Sequence, residues 1–163
     1  MTSSSSAAEP TTPDVIDALL SISPDSELDR LRRARPEIRL RTQTSYDVLF
    51  DRGRPGELRE EERFAAAWRV AVGAGSEALA RHYFALWRQC ADDSVHVSTR
   101  LDPILAHASR LSGDPRDAHR EDLEALAAAG LTETEIVTLS QIVGLVAYQA
   151  RVVFGLALLR AAT

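Results

Sequence analysis

The chain has 163 residues and a mass of 17.8 kDa, and 45% of its residues are apolar and 26% charged, which predicts one domain with a continuous buried core. Nineteen basic residues against 24 acidic ones give a net charge of −5, so nothing electrostatic favours nucleic acid as a partner. Every basic residue is arginine and Cys90 is the single cysteine, which excludes lysine Schiff-base and P-loop chemistry, an intramolecular disulfide, a CxxC redox pair and a cysteine-rich zinc site. The start, MTSSSSAAEPTTP, has neither the positive nor the apolar region of a secretory signal, and a cytoplasmic protein is expected.

Residues 1–12 are rich in Ser, Thr and Pro without apolar periodicity and read as a disordered tail, with one helical domain over 13–163. Thr12-Pro13 is a cap with proline at the first helical position, opening a helix over PDVIDALL. Ser23-Pro24 repeats the device for a second helix, with Leu28 and Leu31 inward, an arginine-rich outer face and Pro36 at its end. A third segment, TSYDVLFD, sets Tyr46, Leu49 and Phe50 on one face before the breakers Gly53 to Gly56. A fourth helix runs from about Leu58 to Val72, with Phe64, Ala65, Trp68, Ala71 and Val72 inward, and stops at Gly73-Ala74-Gly75. Ser76 is placed to cap a fifth helix, whose buried stripe is Leu79, Tyr83, Leu86, Trp87 and Cys90 and whose Glu77 and Arg81 can pair on the surface. After a polar linker over 91–99, a sixth helix follows Asp102-Pro103 and a seventh, REDLEALAAAG, ends at Gly130. Thr132 and Glu135 form a capping box for a last helix reaching about Arg160. Its stretch from Ile136 to Leu159 approaches transmembrane hydropathy, but Gln141, Gln149 and Arg151 inside it favour a core or oligomer-interface helix. The expected fold is an all-α bundle of seven to eight helices.

Two stretches, ERFAAAWRVAVGAGSEALARHYFALW and LTETEIVTLSQIVGLVAYQARVVFGLALL, resemble the carboxymuconolactone decarboxylase and alkylhydroperoxidase D superfamily. The N-terminal part resembles its branch of CMD domain proteins, whose members often accompany a peroxidase-related domain. Peroxidatic members carry a CxxCxxxH motif and an upstream glutamate. With the register fixed on His82, the two cysteine positions fall on Gly75 and Ala78, and the glutamate position on Arg63 beside Glu62. Neither Gly75 nor Ala78 has a nucleophile, so hydroperoxide reduction through them is excluded. Cys90 has apolar stripe neighbours, which oppose thiolate formation, and no second cysteine to resolve an intermediate.

The resemblance makes His82 the candidate acid or base, with Glu62 as the neighbouring carboxylate. On the last helix, Ser140, Gln141, Gly144, Tyr148, Arg151 and Gly155 share a stripe opposite Leu139, Val143, Val146, Ala150, Val153 and Phe154, which are expected in the core. Arg151 is the candidate anchor for a substrate carboxylate, with Tyr148 or Gln141 orienting it. The structural alternative for the stripe is a close helix contact, with Arg151 buried against Glu61 or Glu62. His96, His107 and His119 have no metal-ligand spacing and read as surface residues; Trp68 and Trp87 read as core. No metal and no cofactor is expected.

The first functional expectation is a non-redox lyase or isomerase acting on a small carboxylate or lactone, as the resemblance implies. The alternative is a non-catalytic subunit or scaffold for a cysteine-bearing peroxidase-related partner, and the third is a one-cysteine peroxidase. In each case the last helix is expected to make a homo-oligomer, a dimer or trimer, without nucleic acid or membrane.

Overall fold

A computed structural model of the protein describes residues 14–51, 58–90 and 99–162. The tail over 1–12, the Thr12-Pro13 cap, the Gly53 to Gly56 breakers and most of the 91–99 linker, with His96, lie outside the described residues. Among the described residues the protein is all-α: eight α-helices, one short 3-10 turn and no strand.

The first three helices form a polar-stapled layer: α1 (Val15–Leu19), α2 (Glu27–Arg33) and α3 (Pro36–Leu49). Asp14 caps α1, its carboxylate accepting from the Ile16 and Asp17 backbone N–H groups. Ser26 rather than Ser23 caps α2, and Pro36 starts α3 instead of ending α2. The expected outer face of α2 is also revised. Arg32 turns inward to Asp14 and Asp17, at 2.7 and 2.8 Å, while Leu31 faces solvent. The buried Asp14 and half-buried Asp17 carboxylates at the start of α1 demand a cation, and the register that supplies it from α2 leaves Leu31 outside.

The hairpin of α4 (Glu60–Gly73) and α5 (Glu77–Cys90) is the most extensive helix pair. Its turn is a Schellman cap: Gly75 adopts φ +69°, Gly75 N–H bonds to Val72 and Ser76 N–H to Ala71. On α4, Phe64, Ala65 and Ala71 are buried as expected and Trp68 is half-buried, but Val70 occupies the core and Val72 is exposed. On α5, Leu79 and Tyr83 are fully buried, with Leu86, Trp87 and Cys90 packed at the edge. Next, α6 (Leu101–Gly113) packs on both α4 and α8, and α7 (Arg120–Ala128) closes with a second Schellman cap at Gly130, φ +87°.

The long helix α8 (Glu133–Ala162) begins at the expected capping box: Thr132 N–H donates to Glu135 at 2.7 Å, and Glu135 N–H to the Thr132 hydroxyl at 3.2 Å. Its inner face buries Leu139, Ile142, Val143, Val146, Ala150, Val153 and Leu156. Each large side chain among these stabilises the fold by roughly 1.5–3 kcal/mol. Phe154, expected in the core, is instead 67% exposed. At the far end, Arg160 donates to the Leu20 carbonyl at 2.6 Å, tying the last turn of α8 to the end of α1.

Candidate functional site

His82 sits on α5, half-buried, with Nε2 hydrogen-bonded to the Tyr46 hydroxyl of α3 at 3.0 Å. The hydroxyl donates when the ring carries its proton on Nδ1. Behind this pair lies an aromatic cluster. Tyr83 packs on His82, Tyr46 and Phe50, and Phe50 stacks on Phe64 at 5.1 Å. The Tyr83 hydroxyl donates to Gln149 Oε1 on α8 at 2.6 Å, and burial holds it protonated, well above the ordinary phenol value. Neither Tyr46 nor Gln149 was foreseen as a partner.

Glu62 belongs to a different cluster. It is fully buried at the start of α4, where it accepts from its own helix's Arg59 N–H at 3.0 Å and from Arg59 Nη2 at 2.8 Å. Arg100, just ahead of α6, lies 3.1 Å from Glu62 and 2.6 Å from Glu135 of the α8 capping box. Burial raises the Glu135 carboxyl, but the Thr132 N–H and Arg100 outweigh it and hold the group below its ordinary value. Arg59 also reaches Glu61 at 3.1 Å, and the result is an ion network of Arg59, Glu61, Glu62, Arg100 and Glu135 that clamps the starts of three helices. No hydrogen bond or ion pair joins Glu62 to His82.

Arg151 is exposed, and its Nη1 donates to the Ala147 carbonyl at 3.1 Å. The expected burial against Glu61 or Glu62 does not occur. The reason is the direction of the helices: α4 and α8 run side by side, start to start through Arg100, and Arg151 lies about 24 Å along α8 from Glu135 at 1.5 Å per residue. Arg151 therefore meets the other end of α4, where Val70, Ala74, Ser112, Ala147, Ala150 and Phe154 share a cleft with it of about 330 Å³. Tyr148 and Gln141 lie on the other flank of Arg151 and do not line that cleft. The three residues nominated as a substrate-binding set thus face solvent, and His82, Glu62 and Arg151 do not converge on one pocket.

Other expectations change as well. His107 is 5% exposed rather than on the surface, because it falls on the inward stripe Ile104–His107–Ala108 of α6. Neither of its ring nitrogens has a hydrogen-bond partner among the described residues. His119 is exposed at the start of α7, as expected. Arg63, at the position where the resemblance expects a glutamate, is buried and donates Nη1 to the Leu49 carbonyl at 3.0 Å. The Cys90 thiol points its proton at Glu60 Oε1 and the Leu86 carbonyl, at 3.0 and 3.1 Å. No group of His, Cys, Asp and Glu among the described residues is arranged to hold a metal ion.

Burial lowers the proton affinity of both His82 and His107; for His107, Asp122 opposes the effect and Arg110 adds to it. A histidine whose folded pKa is depressed stabilises the fold fully above the unfolded value of about 6.5, and that contribution is lost as pH falls below it. Thermal unfolding should therefore show a falling Tm from pH 7.5 to pH 5, and His107→Phe should flatten this slope. A second loss should set in as pH falls into the ordinary carboxyl range, where the unfolded chain takes up protons that the lowered Glu135 carboxyl resists, and should be complete only once Glu135 itself protonates. An unchanged slope in His107→Phe would remove His107 from this account.

No protein-family model, curated protein or solved structure matches the chain.

Proposed function

We propose that this protein is a homo-oligomeric helical subunit, a binding or scaffold component whose copies join through the outer face of α8. The observation that carries this reading is that face. Val137, Tyr148, Phe154, Leu158 and Leu159 are all exposed there, Phe154 by 67% and Leu158 by 57%. Arg151 is the one charged residue between Ile136 and Leu159. The helix is also long and apolar enough by length and composition to cross a membrane, with a mean hydropathy of 1.9 over its best window, 39% of which is buried in the subunit. The rest of that apolar surface calls for a cover.

A second copy of the chain suits it. Tyr148 lies midway between Val137 and Leu159, so an antiparallel copy about a twofold axis at Tyr148 sets Val137 against Leu159 at both ends. At Gly144 nothing lies near where a side chain would project, leaving room for a neighbouring helix to approach. The lyase or isomerase reading needs His82, a carboxylate and Arg151 around one substrate, and their separation counts against it. A peroxidase-related partner on the same face is the competing occupant, and a bilayer is the third.

Light scattering on the purified protein at micromolar concentration tests this. The expected result is a dimer or trimer in detergent-free buffer. Phe154→Arg and Leu158→Arg should convert it to a monomer with an unchanged circular dichroism spectrum, because both residues are largely exposed within the subunit. Val153 and Leu156 are unsuitable for the purpose, since both are buried in the subunit and a charge there unfolds it. A wild-type monomer, or protein recovered only with membranes, would overturn the proposal.

A further inference from the structure

Between them, α4 and α6 leave an open groove of about 500 Å³ lined by Trp68, Arg69, Leu105, Ala106, Ser109 and Arg110. We infer that this groove binds small aromatic monocarboxylates, held by Arg69 over an apolar floor.

Three observations carry the inference. Arg69 is exposed and has no carboxylate partner among the described residues, yet it is not loose: its Nε donates to the Ser109 hydroxyl of α6. One of the five guanidinium N–H donors is thereby used, and the Nη pair keeps a forked edge that matches a carboxylate. Anchoring through Nε fixes that edge before a ligand arrives, which reduces the ordering cost of binding.

The floor is the second observation. Trp68 stacks on Trp87 at 5.2 Å and meets Phe84 at 5.9 Å, so its indole is held from behind by two further rings. Together with Leu105 and Ala106 it offers a flat apolar surface to an aromatic ring. Charge is the third. Arg110, on the same groove, already pairs with Asp122 at 2.6 Å, and that carboxylate is largely buried, so the groove keeps one uncompensated guanidinium on a protein of net charge −5. The ligand class follows: one negative charge for Arg69, and a planar apolar body for Trp68 and Leu105. This groove does not involve the outer face of α8, so the inference stands independently of oligomerisation.

Phenylacetate and its neutral analogue phenylacetamide are the probes, followed by two-dimensional 1H–15N NMR on the full chain. Phenylacetate should produce saturable shifts at the Trp68 indole N–H, identified by its loss in Trp68→Phe, and at the backbone amides around Ser109. Phenylacetamide should bind at least about tenfold more weakly, a comparison that uses the unaltered protein throughout. Arg69→Gln should weaken phenylacetate to the same extent, while Arg69→Lys, which keeps the charge and loses the fork, should fall between. Absence of saturable shifts up to about 10 mM, weaker than the weakest useful small-ligand binding, would overturn the inference. So would equal binding of the amide, unchanged affinity in Arg69→Gln, or shifts confined to another part of the molecule.

Discussion

Tyr83→Ala should lower the free energy of unfolding by about 3–5 kcal/mol, the range for removing a large buried aromatic side chain. Tyr83 is fully buried, packs against Phe50, Tyr46 and His82, and links α5 to α8 through Gln149. Tyr83→Phe separates the hydrogen bond from the packing. It leaves Gln149 Oε1 unpaired beside an Nε2 that already has no partner among the described residues, at an expected cost of about 1–3 kcal/mol. Adding Gln149→Leu to Tyr83→Phe should recover most of that loss, because both polar partners then leave together. Urea unfolding of the three variants checks this. A fully stable Tyr83→Phe would mean that the hydroxyl does not hold Gln149.

Glu62→Leu should destabilise the protein by about 3 kcal/mol, the low end of the cost of breaking a buried ion pair. The low end applies because Arg59, at 50% side-chain exposure, keeps Glu61 at 3.1 Å, and Arg100 keeps Glu135 at 2.6 Å. A double-mutant cycle with Arg100→Met should give a coupling energy that changes little between low and high salt, since a carboxylate with no exposure is poorly screened. A coupling that vanishes in salt would assign the network to the surface.

The helices were legible because their ends carry local chemistry. Gly75, Gly130 and the Thr132–Glu135 box each act within one turn, and each appears where the sequence puts it. Helix faces were less secure where the apolar and polar signals compete. Leu31 and Phe154 looked inward by hydrophobicity alone, but Asp14 and Asp17 require Arg32 in the interior, and the inner arc of α8 is already filled by Ala150, Val153 and Leu156. The burial of His107 was in fact readable, since it shares the spacing of Ile104 and Ala108. The partners of the candidate site were not readable. Tyr46 lies 36 residues from His82, Gln149 lies 66 from Tyr83, and Arg100 reaches Glu135 across 35. No local pattern encodes such pairs. They depend on α4 and α8 lying side by side, and the same arrangement parts Arg151 from Glu62.

The tie between Arg160 and Leu20 has a consequence for how the chain is made. The ribosome releases α1, α2 and α3 well before α8, yet α2 and α3 pack on α8, and α1 leans on α5. Until α8 has been made, α2 and α3 have no finished surface to settle on. Helix propensity and the Asp14–Arg32 and Asp17–Arg39 pairs hold this layer together in the interval, without the apolar seat that α8 later provides. Closing a loop that spans almost the whole chain is entropically slow, although the cost grows only weakly with its length. A nascent chain stopped before Arg160 should leave α1, α2 and α3 open to protease, and release of the last turn of α8 should fasten it to the end of α1 in one step.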